Sequence, residues 1–368
     1  MGKDVTLRDY RESDAEAIFT LMGEIYDADV VANSRRHWRW QYHENPRNPE
    51  GRVPIRVVDR DGEVVATICG IRQDFSIAGL VSTGRWVVDF MARQAGTNER
   101  ERLRFGQRLA FELRDTQPLV AGVNRPALNR YWKRVLGDQV DICAVPMMVR
   151  PLRTRRLARR RVRNPALAAG FAAAARAALP VVYRVKRRAA PDGVTFDPID
   201  RFDSRFDQFW KGVAPSFTNL AVRDSIYLNW RYRGIPDRTY ECFVACRAGE
   251  VRGWVVVRLL RDGDLLKGRI VDVLARSDDL PMWYFLIGSA VSRLADQGAD
   301  LVHGLGSTVA AVREAYRECG FRPNPEHART SQYIAYNNLE GIDQDAFYNG
   351  DNWYVTLGDS DTDFARPE

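Results

Sequence analysis

The sequence predicts an α/β (α+β) chain built twice over: two mixed, mostly antiparallel sheets flanked by helices and joined by a basic helical connector. Three observations carry this expectation. First, Gly84-Arg85-Trp86-Val87-Val88-Asp89-Phe90-Met91-Ala92-Arg93 returns as Gly268-Arg269-Ile270-Val271-Asp272-Val273-Leu274-Ala275-Arg276, an apolar run entered through Gly-Arg with one aspartate inside it, as a central strand reads. Second, Trp40-Gln41-Tyr42 with Pro46 matches Trp230-Arg231-Tyr232 with Pro236 at a constant offset of 190, and Leu136-Gly137 matches Cys319-Gly320 at 183. A period this long exceeds the roughly 20 to 50 residues of a solenoid repeat and fits duplicated domains of about 150 residues. Third, residues 150–190 hold thirteen Arg or Lys and no acid, so a net charge of +7 less those thirteen leaves −6 for the rest. The expected boundaries are 1–150, a connector at 151–192, and 193–368.

Within the first copy, Val5 to Arg8 reads as a strand. Ser13-Asp14-Ala15-Glu16 then caps an amphipathic helix through Ile18, Leu21, Met22 and Ile25. An aromatic-rich helical stretch ends near Tyr42. Strands at Ile55 to Asp59 and Val64 to Ile71 join through Asp61-Gly62, a hairpin turn, before the strand through Asp89. Leu103, Gly106, Leu109, Ala110 and Leu113 form a helical stripe. Pro118 to Asn124 is a buried strand, Ala127 to Val135 a short helix, and Val140 to Val149 a closing strand.

Composition narrows the chemistry. Cys69, Cys143, Cys242, Cys246 and Cys319 lie on apolar stretches and read as small buried hydrophobes. His37, His43, His303 and His327 lack ligand spacing, so no metal is expected. Gly-x-Ser-x-Gly, a phosphate loop ending in Gly-Lys-Ser/Thr and a dinucleotide fingerprint are missing. No apolar leader opens the sequence, and a cytoplasmic location is the expectation.

The element order, with a helix launched from the central strand and Asn124, Ala127 and Tyr131 preceding Leu136-Gly137, resembles the GNAT family of acyl-CoA-dependent N-acyltransferases. Tyr316-Arg317-Glu318-Cys319-Gly320-Phe321 matches the family's Tyr-x-x-x-Gly-Phe ending in the second copy. The resemblance implies that strands Val87–Met91 and Leu119–Val123 splay around the pantetheine of acetyl-CoA or another acyl-CoA. Phe90, Met91 and Ala92 would offer backbone groups to it. Amides at Arg93, Gly96, Thr97 and Asn98 would hold the pyrophosphate where a helix begins, with Gly106 and Asn124 nearby. Helix N-termini suit anions because their N–H groups are unpaired. The loop departs from the family pattern, placing Asn98 where a second small residue belongs. In the second copy Ser277-Asp278-Asp279 puts carboxylates at the same place, which marks that copy as a structural or acceptor-binding half.

Amine acylation needs a base and an acid. Asp89, mid-strand between Val88 and Phe90, is the candidate base, since burial raises a carboxyl pKa, and the resemblance implies Tyr131 as the acid. The alternatives for Asp89 are a loop-fixing carboxylate or a partner of Arg85; for Tyr131, a packing aromatic beside Trp132. Doubled proteins of this kind resemble those encoded with bacterial exopolysaccharide and cell-surface sugar genes, which implies an amino sugar acceptor, small or lipid-linked, in surface-polysaccharide assembly. Two rivals stay open: an aminoacyl-tRNA-dependent transferase of the peptidoglycan cross-bridge type, and a non-catalytic binding protein at the membrane.

The stretches His37 to Tyr42 and Tyr227 to Tyr232 are either an acceptor-stacking surface or core, core being favoured by their repetition. Basic residues from Arg153 to Arg188 flank an apolar run between Pro165 and Pro180, which suits a peripheral seat on anionic lipid at the inner face of the membrane, or a solvated linker. Nucleic acid is not the expected partner, since aromatic residues do not interleave the basic ones. The tail carrying Asp359, Asp361 and Asp363 reads as a solvated acidic end.

Overall fold

The structure, a computed structural model, describes residues 5–124, 126–162, 164–186, 189–324 and 331–364. The first half runs β1 (Val5–Asp9), α1 (Ala15–Gly23), α2 (Ala28–Trp38), β2 (Ile55–Arg60), β3 (Glu63–Ile77), β4 (Leu80–Ala92), α3 (Glu99–Thr116), β5 (Leu119–Asn124), α4 (Pro126–Leu136), β6 (Asp141–Val145) and β7 (Met147–Pro151). α2 continues into a π-helical turn, Arg39–His43, which carries Trp40 and Tyr42. The single closing strand expected over Val140 to Val149 is two strands, broken at Pro146, which has no N–H to give a ladder.

After the helices α5 (Arg155–Arg161) and α6 (Pro165–Val182), the pattern repeats. The second half comprises β8 (Val194–Ile199), α7 (Ser204–Val213), β9 (Asn219–Ala221), α8 (Ser225–Arg233), β10 (Glu241–Arg247), β11 (Glu250–Asp262), β12 (Leu265–Ala275), α9 (Leu280–Asp296), β13 (Leu301–Leu305) and α10 (Ala310–Glu318). It closes with β14 (Arg322–Pro323), β15 (Ser331–Asn337), α11 (Gln344–Tyr348) and β16 (Trp353–Tyr354).

The sheets do not divide at the expected boundaries. One sheet orders β1-β2-β3-β4-β5-β15-β6, with β9 on β3 and β16 on β9; the other orders β14-β7-β13-β12-β11-β10-β8. Each half therefore lends a strand to the other. β7 lies between β13 and β14, pairing Val149 with His303 and with Arg322. β15 lies between β5 and β6, pairing Tyr333 with Val123 and with Cys143. The boundaries 1–150 and 193–368 describe the repeat in sequence, whereas a closed sheet needs chain from both.

The seam is built from the repeated aromatics. Trp40 and Trp230 stack at 4.7 Å between centroids, 16° from parallel. Each indole N–H donates to the other's backbone carbonyl, at 2.9 and 3.1 Å. With Trp40 2 % and Trp230 8 % exposed, no ring face is left for a sugar, and the stacking-surface expectation gives way to core. Arg231 is buried against the Phe364 ring, 4.4 Å from its centroid, and Arg39 is exposed beside Glu44.

The acidic tail is not solvated. Asp359 and Asp363 are each 2 % exposed. Arg223 donates to Asp359 Oδ2 at 2.8 Å, and Arg269 to Asp363 Oδ1 at the same distance. A buried carboxylate persists where it is paired and hydrogen-bonded, and those partners lie 94 to 136 residues away in sequence.

Candidate active site

The strand β4 carries a bulge. Val88 pairs with Cys69 and Met91 with Thr67, so Asp89 and Phe90 together face Ile68. Asp89 adopts φ 47°, a left-handed conformation uncommon outside glycine. The extra residue keeps Asp89 on the face of Val88, where Tyr42 donates to its Oδ2 at 2.8 Å. It also turns Phe90 to the opposite face, against Tyr131, at 5.5 Å between centroids. Asp89 and Tyr131 thus stand on opposite faces of the sheet. Burial and the nearby Asp361 carboxylate push the Asp89 carboxyl up to about 6, while the Tyr42 bond pulls the other way. Its Oδ1 accepts no hydrogen bond among the described residues, and Arg85 does not pair with it.

Beside the bulge, β4 and β5 part. Their parallel pairing runs from Arg85–Val120 to Val87–Gly122 and ends, while β5 continues on its other edge with β15 through Asn124. From Val88 to Ala92, β4 presents unpaired backbone to that wedge. Tyr131 crosses the adjoining face close to α3: a Cβ at Gly106 would come within 2.8 Å of the Tyr131 hydroxyl and 3.1 Å of the Phe90 ring. Glycine is required there for that approach. The Tyr131 hydroxyl is buried without a hydrogen-bond partner among the described residues, and burial raises its pKa. Met91 and Ala92 line the unpaired stretch of strand; the side chain of Asn124 lies outside the described residues.

The phosphate turn differs from the expectation. The amides of Gln94 and Ala95 donate to Glu24 Oε2. Arg93 is paired with Glu24 and Glu63. Thr97 donates to the Arg93 carbonyl. Asn98 caps α3, accepting from Glu101 N–H at 3.0 Å while Glu101 reaches back to the Asn98 amide. Gly96, at φ 66°, makes the turn. The wedge leaves free backbone on β4, whereas the turn as it stands holds the Glu24 carboxylate against the amides expected to face a phosphate. Arg100 and Arg104 are exposed at the same helix start. Nothing in the local sequence around Glu24 announces this contact, since it joins residues 70 apart.

The second copy repeats the geometry and closes it. Tyr232 donates to Asp272 Oδ2 at 2.8 Å, as Tyr42 does to Asp89. Here, however, Arg223 and Thr356 also bond the carboxylate, and Asp272 is 2 % exposed. The parallel pairing of β12 with β13 stops at Arg269–His303. Tail residues Tyr354 to Leu357 lie across the resulting gap, the Tyr354 hydroxyl donating to the Val273 carbonyl, and leave a cavity of about 10 Å³. Asp279 caps α9 by accepting from Met282 N–H. The repeat of Tyr42 and Asp89 as Tyr232 and Asp272 was the sequence signal for the Tyr–Asp bond, which the sequence reading passed over.

The fold has known counterparts. No protein-family model matches the chain, and no curated protein matches it in sequence. Among solved structures, a GCN5-related N-acetyltransferase from Anabaena variabilis superposes with a TM-score of 0.60 at 10 % identity, covering 91 % of this chain and 73 % of that one. Saccharomyces cerevisiae N-myristoyltransferase with bound myristoyl-CoA matches at 0.56 and 10 % identity, covering 92 % and 83 %. A probable N-acyltransferase from Enterococcus faecalis matches at 0.56 and 8 %, covering 91 % and 72 %. The chain has the GNAT fold. Its two mixed sheets flanked by helices carry that fold.

Proposed function

We propose that the protein is an acyl-CoA-dependent N-acyltransferase whose working site is the first GNAT copy, with acetyl-CoA as the expected donor. The observation that carries this reading is the wedge between β4 and β5, flanked by Asp89 at the bulge and by the unpartnered Tyr131 hydroxyl. The acceptor nitrogen attacks the thioester carbonyl carbon, and the C–S bond breaks. The proton lost by the amine passes to Asp89, and the leaving sulfur takes the Tyr131 hydroxyl proton. A base poised at about 6 is largely ionised at neutral pH yet basic enough to accept a proton. Docking of a pyrophosphate on the α3 turn requires Glu24 to swing away from the Gln94 and Ala95 amides. The acceptor is a primary amine, an amino sugar of surface-polysaccharide assembly being the specific candidate. Release of free thiol from acetyl-CoA, screened against amino sugars with wild type and Asp89→Asn, tests the reading; acyl transfer unchanged in Asp89→Asn overturns it.

The same protein is proposed to sit peripherally on anionic membrane through α5 and α6. Supporting this, α6 buries Ala168 and Ala172 against α5 and leaves Leu167, Phe171, Val181 and Val182 exposed along one stripe. Arg155, Arg159 and Arg184 stand exposed beside it; Arg163, Arg187 and Arg188 lie outside the described residues. Each basic residue near an anionic surface contributes about 1 kcal/mol. Salt-sensitive co-sedimentation with phosphatidylserine vesicles, lost in Leu167→Glu/Phe171→Glu, is the expected result. Binding unaltered in that variant overturns the assignment.

A further inference from the structure

A cleft of about 900 Å³ opens on the first sheet at the end of β4 away from the bulge, between the 48–56 segment and the end of α3. Its lining sets Asp9, Glu12, Glu50 and Glu112 beside four arginines, two of which stand together on the sheet. Arg72 on β3 and Arg85 on β4 are direct cross-strand partners, and both line the cleft. Like charges directly opposite in an antiparallel pair repel. Neither guanidinium makes a hydrogen bond or ion pair among the described residues, and Arg85 is 91 % buried. A third arginine, Arg56, lines the same cleft and pairs with Glu112 Oε1 at 3.1 Å, while Glu112 Oε2 is buried without a hydrogen-bond partner among the described residues. Burial pulls the Arg85 pKa down to about 10, with smaller help from Arg72 and Arg56, while the Glu112 carboxylate pulls the other way.

Two adjacent guanidiniums, one almost wholly out of water, form a costly arrangement unless an anion is shared between them. Burying a charge without a partner is unfavourable, and paired forks suit the oxygens of a phosphoryl group bidentately. The volume is that of a small-molecule site. We propose that this cleft binds the phosphoryl group of a small phosphorylated molecule, with Arg72 and Arg85 as its ligands, at a site separate from the acyl-transfer wedge. Gly70 belongs to the same design: a Cβ there would come within 2.9 Å of the Arg85 Cδ, so glycine lets the Arg85 stem lie flat across β3.

The experiment is thermal unfolding of the full chain with orthophosphate, with ribose 5-phosphate and with potassium chloride at matched ionic strength, in wild type, Arg72→Ala and Arg85→Lys. Ribose 5-phosphate is expected to raise the Tm of wild type, and Arg72→Ala to lose at least tenfold in apparent affinity. Without ligand, Arg72→Ala is expected to unfold at the same or a higher temperature than wild type, because the repulsion is relieved. An equal response to orthophosphate and the ester assigns the site to free phosphate. A phosphate response retained in Arg72→Ala, or a ligand-free Arg72→Ala that is clearly less stable, overturns the proposal, since the pair would then be structural. Acyl transfer is not read in this assay, so its outcome is independent of the proposed reaction.

Discussion

The two aspartates at the repeated bulges make a controlled comparison. Asp89 and Asp272 sit on matching strands and accept from matching tyrosines at 2.8 Å. Asp272 has Arg223 beside it; 190 residues earlier, at the offset of the Trp40–Trp230 pair, stands Asn33, which instead donates to the Phe364 carbonyl. Arg223 and Thr356 therefore bond Asp272 as a paired structural carboxylate, whereas Asp89 has Tyr42 as its side-chain partner among the described residues and an elevated pKa. The lesson is that duplication supplied the frame, and the partner beside the aspartate decides whether it is spent on stability or kept available for proton transfer.

The largest difference to look for is in rate. Asp89→Asn is expected to lower acyl transfer by about 10² to 10⁴ with little loss of Tm. Arg223→Ala should do the reverse, because it strands Asp272 and Asp359 without their cation; breaking a buried pair costs about 3–5 kcal/mol, read as a lower denaturant midpoint. Should Arg223→Ala leave stability intact, the contrast between the copies collapses. Tyr131→Phe is expected to slow transfer by about 10², with Tyr316→Phe on α10 of the second copy affecting the rate little.

A pH profile sharpens the same contrast. Activity should fall about tenfold per unit below pH 6, as Asp89 takes up a proton and ceases to be a base. For stability the sign is opposite. A carboxyl whose folded pKa is raised contributes most when protonated, fully below its ordinary range, and that contribution is lost as pH rises through about 6. Asp89→Asn should therefore match or exceed the wild-type Tm above pH 6. The smallest expected effect is at the seam: Trp40→Phe removes one indole donor and should cost about 1 kcal/mol.

Much of this was legible in the residues. The recurring Gly-Arg stretch located both central strands, because period and turn chemistry are local signals, and the element order with Asn124, Ala127 and Tyr131 carried the resemblance to the GNAT family. The strand exchange was not legible. β7 and β15 read as ordinary strands, and pairing partners more than 150 residues away leave no local mark beyond Pro146. The tail misled for a related reason: Asp359 and Asp363 look solvated by composition, and their arginines are distant in sequence. Glu24 at the phosphate turn belongs to the same class of long-range contact.

The reciprocal lending of β7 and β15 bears on how the chain is made. During synthesis the first sheet cannot complete itself until Asn337 has left the ribosome. Long-range pairing of this kind slows folding and leaves strand edges exposed in the meantime. A fragment ending at residue 150 would carry β7 with no sheet to enter and would leave β5 and β6 with an empty lane between them. The protein is one cooperative unit assembled from two copies, and neither copy is expected to survive alone.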